Sequence, residues 1–221
     1  MWAGVDGRLM SMSINEILRQ GAPPVIAILR GLTPDAASAV GRALVDAGIR
    51  LIEVPLNSPD PLSSIARLSS ELDGQALVGA GTVLSVSEVE AVHKVGGKLV
   101  VSPNTDERVI RRTVALGMDA VPGFLSPTEA FLALAAGARR LKLFPAASLP
   151  RSHIKSLREV LPRDVEIWAV GGIEVRDIAD WLRMGAGGFG VGGSLYKAGD
   201  AAAVVGARAR ELVNAWRAAR G

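Results

Sequence analysis

The apolar run LIEVP at residues 51–55 is followed by a helical pattern at residues 61–72 and a second apolar run, ALVGA, at residues 76–80. Short apolar runs without alternation are typical of strands that are covered on both faces, as in a parallel sheet. Parallel neighbours need a crossover connection, and the helical segment between these two runs supplies one. Strand, helix and strand therefore form one unit, which the chain repeats along its length.

Eight such strands are predicted, at residues 25–29, 51–55, 76–80, 98–102, 118–122, 139–143, 165–169 and 187–191. Helices are predicted after them at residues 33–47, 61–72, 87–95, 107–116, from Ser126 onward, and at 152–161, 176–184 and 202–219. Eight units close a barrel, so the sequence predicts an α/β fold, a (β/α)8 TIM barrel with a short N-terminal helix at residues 13–20. No linker-like segment interrupts the pattern, which predicts a single domain over residues 1–221. The alternative, a doubly wound open sheet, would carry a glycine-rich nucleotide turn after the first strand, where the chain has LRGL at residues 29–32.

Composition limits the classes of function. The chain has no cysteine, which excludes thiolate chemistry and disulfides, and its two histidines, His93 and His153, are far apart in the sequence. The net charge is only +3 and the basic residues are scattered, so we expect no nucleic-acid partner. There is neither the apolar segment of a signal peptide nor a run of about 20 apolar residues, and we therefore expect a cytoplasmic protein without a membrane partner.

The run LKLFP at residues 141–145 contains one lysine in an otherwise apolar strand. Burial removes water from the amine of Lys142, which lowers its pKa and increases the neutral form that attacks carbonyl groups. The alternative interpretation is a lysine that pairs with a carboxylate and stabilises the barrel.

In a TIM barrel, functional residues lie at the C-terminal ends of the strands. Five polar residues are predicted there: Arg30, Glu53, Thr82, Asn104 and Lys142. Glu53 lies between two apolar residues, so we expect it to be buried, either as a counter-ion of Lys142 or Arg30 or as a group that relays protons.

The last two predicted strands end in paired glycines, VGGI at residues 170–173 and VGGSL at residues 191–195. Glycines let backbone N–H groups approach an anion, and the loops after strands seven and eight of this barrel recurrently bind phosphate. Together the two glycine pairs predict a phosphate site.

Six motifs carry a resemblance to a known family: ILRG at 28–31, EVPLNSP at 53–59, GAGTVL at 79–84, SPN at 102–104, KLFP at 142–145 and VGG at 170–172. The chain resembles, from about residue 24 to residue 199, the class I aldolases that act on 2-dehydro-3-deoxy-phosphosugar acids. The branch of that family that cleaves the 6-phosphogluconate compound has Leu-Arg-Thr where this chain has Leu56-Asn57-Ser58. The resemblance therefore favours the 6-phosphogalactonate branch, in which the carboxylate-binding arginine corresponds to Arg30, and the gluconate branch is the nearest alternative.

The resemblance also implies a role for each site residue. Lys142 would form the Schiff base and Glu53 would be the general acid/base. The substrate-binding residues would be Arg30 and Thr82 at the carboxylate, Pro103 and Phe144 in the wall, and Gly172, Gly192, Gly193 and Ser194 at the phosphate. The products would be pyruvate and glyceraldehyde 3-phosphate, no metal or other cofactor would be needed, and the assembly would be a homotrimer.

Two other functions fit parts of the pattern. A sugar-phosphate isomerase or epimerase would share the glycine pairs and use Glu53 as a base, but it would not need a lysine that reacts covalently. A non-catalytic phosphosugar-binding barrel would keep the glycine pairs and leave Lys142 as a counter-ion.

Overall fold

The structure, a computed structural model, describes residues 12–220. The strands are β1 (Val25–Ile28), β2 (Leu51–Pro55), β3 (Leu77–Gly81), β4 (Leu99–Val101), β5 (Asp119–Val121), β6 (Gly123–Phe124), β7 (Arg140–Leu143), β8 (Glu166–Val170) and β9 (Gly188–Val191). The α-helices are α1 (Ile14–Arg19), α2 (Pro34–Asp46), α3 (Pro61–Glu71), α4 (Val86–Lys94), α5 (Glu107–Ala115), α6 (Pro127–Ala135), α7 (Ser152–Arg158), α8 (Ile178–Arg183) and α9 (Ala202–Ala218). Two short 3-10 helices lie at Ala146–Ser148 and Val175–Asp177.

All paired strands are parallel, in the order β5-β4-β3-β2-β1-β9-β8-β7-β6. The two ends of this order, β5 and β6, are consecutive along the chain and separated only by Pro122. The carbonyl of Pro122 accepts a hydrogen bond from the N–H of Lys142 at 2.8 Å, which joins this edge to β7. The nine strands thus form a nearly closed barrel with helices between them, which confirms the predicted TIM-barrel class.

One detail of the prediction is wrong. The fifth strand was expected to be continuous over residues 118–122, but it consists of β5 and β6 with Pro122 between them. Proline has no N–H to donate to a ladder, so the strand pairs with β4 before the proline and with β7 after it.

Serine side chains determine where several helices begin. Ser13, Ser85 and Ser126 each cap a helix, and the carboxylate of a glutamate three residues later accepts a hydrogen bond from the backbone N–H of the cap residue. These reciprocal capping boxes satisfy backbone donors that a helix leaves open. The caps predicted at Ser13 and Ser126 are confirmed. Among residues 12–220, no helix is both long and apolar enough to cross a membrane.

The apolar side chains form two clusters. The larger lies between the strands and the surrounding helices, and the smaller fills the barrel interior. The inner cluster includes Leu51 and Trp168, and two isoleucines of α1 close its N-terminal end. Because side chains alternate along a strand, Glu53 lies on the same face of β2 as Leu51 and therefore points into the barrel above this cluster.

Polar groups also close the N-terminal end. Arg140, at the start of β7, is 7% exposed and donates from Nε to Glu166 at 2.8 Å. It also donates to the side chain of Asn15 and lies 3.7 Å from Asp119. Asp119 accepts from the N–H of Ile14 at 2.9 Å, which fixes the start of α1 to the barrel.

Candidate active site

A cavity of about 360 Å³ opens at the C-terminal end of the barrel. Its lining contains every residue that the sequence predicted for catalysis or substrate binding: Arg30, Glu53, Thr82, Pro103, Lys142, Phe144, Gly172, Gly192, Gly193 and Ser194. They come from loops and strands that are distant in sequence. Asn104, the other polar residue predicted at a strand end, is exposed and is not part of this lining.

Lys142 lies in the middle of β7, where its N–H and register with Gly123 of β6 fix its backbone. Its side chain is 6% exposed. The ammonium nitrogen is 4.6 Å from the centroid of the Phe144 ring, a distance that allows a cation–π contact. The lysine is therefore held in an apolar environment with one end in the cavity.

Glu53 lies in the middle of β2 and is 2% exposed. Its Oε2 atom is buried and has no hydrogen-bond partner among the described residues. A Cβ atom on Gly81 of β3 would come within 1.8 Å of that oxygen, so the carboxylate occupies space that only glycine leaves. A buried carboxylate oxygen without a partner is costly, and such groups call for an explanation.

The two groups are shifted toward their neutral forms. Burial raises the pKa of Glu53 to about 7, against the opposing effects of Lys142 and Arg30. Burial also lowers the pKa of Lys142; Glu53 opposes this shift and Arg30 adds to it. A carboxyl group with a pKa near neutrality beside an amine with a lowered pKa is suited to proton transfer and nucleophilic attack.

Arg30 and Thr82 lie on the side of the cavity formed by the ends of β1 and β3. In residues 12–220, no ion pair joins Arg30 to a carboxylate; its guanidinium donates to the side-chain oxygen of Asn57. Thr82 has a φ of 56°, a left-handed conformation that a β-branched residue rarely adopts. Strain of this kind costs on the order of 1–3 kcal/mol and concentrates at functional sites.

The part of the cavity wall at the ends of β8 and β9 is made of backbone. The N–H groups of Gly172, Gly193 and Ser194 donate to no acceptor in the described chain, while the Ser194 hydroxyl donates to the carbonyl of Ile173 at 2.8 Å. That bond joins the loops after β8 and β9. Three available backbone donors around one space can bind an anion.

The lining also contains residues to which the sequence analysis gave no individual role: Ile28, Val170, Gly171, Ile173, Glu174 and Gly190. Ile28 and Val170 end strands on the inner face, so alternation from Ile26 and Trp168 would have indicated them. Glu174 lies two residues after the first glycine pair, and apart from this nothing in the sequence indicated that it lines the cavity.

Comparison with protein families gives a match to the family described as Aldolase: KDPG and KHG aldolase, over residues 14–205. The chain is 48% identical over 198 residues to the probable 2-dehydro-3-deoxy-6-phosphogalactonate aldolase of Rhizobium meliloti (strain 1021), covering 90% of this chain and 93% of the relative. It is 44% identical over 196 residues to the 2-dehydro-3-deoxy-6-phosphogalactonate aldolase of Escherichia coli (strain K12), covering 89% and 96%. A 2-dehydro-3-deoxy-phosphogluconate aldolase of Treponema pallidum (strain Nichols) is 31% identical, covering 72% and 74%.

Solved structures give the same result. One named "Native KDPGal structure" superposes with a TM-score of 0.88 at 44% identity and covers 89% of this chain and 96% of its own. A cube-shaped, highly porous protein cage, designed by fusing symmetric oligomeric domains, also gives a TM-score of 0.88 at 44% identity, covering 90% and 73%. A barrel with these coverages and a family match over residues 14–205 leaves one assignment. The chain belongs to the KDPG and KHG aldolase family.

Proposed function

We propose that this protein is a class I aldolase that cleaves 2-dehydro-3-deoxy-6-phosphogalactonate to pyruvate and glyceraldehyde 3-phosphate. One observation carries the proposal. A buried lysine and a buried glutamate, both shifted toward their neutral forms, share a cavity whose wall also offers three available backbone N–H donors. A structural ion pair would need neither the cavity nor the donors.

Covalent catalysis begins at Lys142. Its neutral amine attacks the C2 ketone, and loss of water from the resulting carbinolamine gives a protonated imine. Burial lowers the pKa of Lys142 and so increases the fraction of amine able to attack. Glu53, with a pKa of about 7, is able to give a proton to the departing hydroxyl and to become a carboxylate.

Cleavage of the C3–C4 bond follows. The C4 hydroxyl loses its proton to the Glu53 carboxylate, directly or through one water, and becomes the aldehyde of glyceraldehyde 3-phosphate. The electron pair of the broken bond moves into the protonated imine and gives an enamine on Lys142. Glu53 returns the proton to C3, and hydrolysis of the imine releases pyruvate and regenerates the amine. The protonated imine accepts the electron pair of the broken bond, so the reaction needs no metal as an electron acceptor.

The two ends of the substrate are bound by different means. The guanidinium of Arg30 binds the carboxylate next to the reacting ketone, because its planar set of donors matches a carboxylate. Thr82 contributes at the same end, and Pro103 and Phe144 form the wall. The N–H groups of Gly172, Gly193 and Ser194, with Gly192 beside them, bind the phosphate at the other end.

The choice of C4 epimer rests on two observations. The 6-phosphogalactonate relatives are 44% and 48% identical, whereas a phosphogluconate relative is 31% identical. The loop after β2 also carries Asn57 and Ser58 where the gluconate branch has an arginine, so Arg30 is the guanidinium available for the carboxylate.

We also propose a homotrimer of single-domain barrels that acts in the cytoplasm. The outer face of α6 presents Thr128, Phe131, Leu132 and Ala135 to solvent, and these positions fall on one helical face. Phe131 is 47% exposed and Leu132 43%. An apolar helix face of this kind is typical of a subunit contact, and the matched cage protein was built from symmetric oligomeric domains. The absence of cysteine fits a reducing compartment.

A coupled assay that reports pyruvate tests the activity and the epimer preference together. The enzyme is given the galactonate and the gluconate substrates side by side, with Lys142→Ala as the control that lacks the nucleophile. We expect a higher kcat/KM for the galactonate epimer and no turnover by the variant. Preference for the gluconate epimer would overturn the substrate, and full activity of Lys142→Ala would overturn the mechanism.

A further inference from the structure

Two tight turns meet at the ends of β1 and β2. The first, after β1, is closed by the N–H of Leu32 donating to the carbonyl of Leu29 at 3.1 Å and carries Arg30 at its tip. The second, after β2, is closed by the N–H of Ser58 donating to the carbonyl of Pro55 at 2.9 Å. It carries Asn57.

Two hydrogen bonds join these turns. The guanidinium of Arg30 donates to Oδ1 of Asn57, and the N–H of Gly31 donates to Oγ of Ser58 at 3.0 Å. Ser58 is 8% exposed, so its bond fixes the backbone of the first turn from a buried position. Asn57 is exposed and contacts the charged end of the arginine itself. The backbone and the side chain of Arg30 are thus held separately.

The acceptor for Arg30 is uncharged. An aspartate at position 57 would orient the guanidinium equally well, but it would also neutralise it and compete with a substrate carboxylate for its donors. An amide oxygen accepts one hydrogen bond and leaves the positive charge and the remaining donors available. The positive charge of Arg30 therefore still acts on the buried carboxyl group of Glu53, whose pKa it lowers.

We propose that Asn57 is a positioning residue that orients the guanidinium of Arg30 for the pyruvate-end carboxylate without neutralising it. The inference rests on the proposed function, in which Arg30 binds that carboxylate. Without Asn57 the long arginine side chain is free to rotate in solvent, and binding must then order it. Replacing Asn57 should therefore weaken the binding of pyruvate and leave the binding of the phosphate group unchanged.

The experiment measures aldol condensation, in which pyruvate and glyceraldehyde 3-phosphate are varied separately. Asn57→Ala and Asn57→Asp are compared with Asn214→Ala and Asn214→Asp, matched changes at an exposed asparagine on α9. For Asn57→Ala we expect the KM for pyruvate to rise about three- to tenfold, the range that ordering one long side chain supplies. The KM for glyceraldehyde 3-phosphate should stay within twofold. Asn57→Asp should raise the KM for pyruvate at least as much, and both Asn214 variants should behave as wild type.

Combining the change with Arg30→Ala separates this inference from the proposed function. If Asn57 acts through Arg30, Asn57→Ala should add nothing to the effect of Arg30→Ala on pyruvate. An unchanged KM for pyruvate in Asn57→Ala, or an equal effect with and without Arg30, would overturn the positioning role while Arg30 kept its own. If Arg30→Ala itself leaves pyruvate binding unchanged, the carboxylate role of Arg30 fails, and the role of Asn57 fails with it.

Discussion

Glu53 is a carboxyl group in an environment that disfavours its charge. Burial raises its pKa to about 7, so it changes protonation state in the middle of the physiological range. The mechanism needs one proton on the pair formed by Lys142 and Glu53, since a neutral amine attacks the ketone and a neutral carboxyl group protonates the departing hydroxyl. We therefore expect kcat/KM for cleavage to fall as the pH decreases through about 7, because both groups are then protonated and the amine can no longer attack.

Two variants test whether Glu53 causes this fall in kcat/KM near pH 7, the acidic limb of the pH profile. Glu53→Gln should lower kcat by about 100- to 10,000-fold and remove the limb near pH 7, since general acid/base catalysis is typically worth that much. Arg30→Ala removes a positive charge that lowers the pKa of Glu53, so it should move the limb to higher pH. Steady-state kinetics between pH 5 and 9 measure both effects. An unmoved limb in Glu53→Gln would mean that another group titrates there.

Gly193 allows a direct test of the phosphate end. A Cβ atom added there would meet nothing within 4 Å, and its φ is not in the left-handed region, so Gly193→Ala should fold like the wild type. The new methyl group would occupy the space where the phosphate is expected. We expect kcat/KM for the phosphorylated substrate to drop at least about tenfold, which corresponds to about 1.4 kcal/mol.

The thermal midpoint and the unphosphorylated sugar acid serve as controls for Gly193→Ala. The midpoint should stay unchanged, and kcat/KM for the unphosphorylated compound should change little. Wild-type kinetics on the phosphorylated substrate would contradict a phosphate site at this loop.

Single residues also mark the limit of what the sequence predicted. Lys142 and Glu53 were predictable because a charged residue inside an apolar strand is rare. The left-handed conformation of Thr82 was not, because nothing in GAGTVL distinguishes a strained threonine from a relaxed one. The contact between Arg30 and Asn57 depends on two turns that are 27 residues apart in sequence.

Among the elements, α1 and the start of β7 carry the stability of the N-terminal end. Arg140 contacts Glu166, Asp119 and Asn15 from a buried position. Arg140→Ala removes the cation that Glu166 and Asp119 contact. We expect the free energy of unfolding to fall by about 3 kcal/mol, the lower end of the range for buried ion pairs, because Glu166 is 37% exposed. Denaturant unfolding measures the loss.

Activity should remain where the Arg140→Ala protein is folded, because the proposed active site lies at the other end of the barrel. The matched control is Arg108→Ala, which removes an arginine that is 83% exposed and paired to Asp106. An exposed pair is worth at most about 1 kcal/mol. Equal losses in the two variants would mean that the buried contacts of Arg140 do not stabilise α1 and the barrel.

The order of the elements was predictable, and some of their ends were not. Seven of the eight predicted strands correspond to single observed strands, because short apolar runs bounded by glycine and proline have few other interpretations. The interruption at Pro122 was missed although the proline was visible, because a proline ending a strand and one dividing it look alike in sequence. Hydrogen bonds to β4 and β7 decide between them.

For the whole molecule, the proposed trimer predicts that α6 lies in a subunit contact. Phe131→Asp introduces a charge into that contact, and we expect it to shift sedimentation from a trimer to a monomer. Val160→Asp is the control, since Val160 is 55% exposed and lies outside α6. A Phe131→Asp protein that sediments as the wild type does would exclude this face as the contact.

The proposed mechanism requires Lys142 to form an imine with the ketone of the substrate. The protein is incubated with pyruvate and borohydride, digested, and analysed by mass spectrometry, with Lys142→Ala treated in parallel. We expect one modified peptide, which contains Lys142 and is heavier by the mass of pyruvic acid less one oxygen atom, and no such adduct in the variant. An adduct that persists in Lys142→Ala, or a wild-type protein that pyruvate and borohydride leave unmodified, would contradict it.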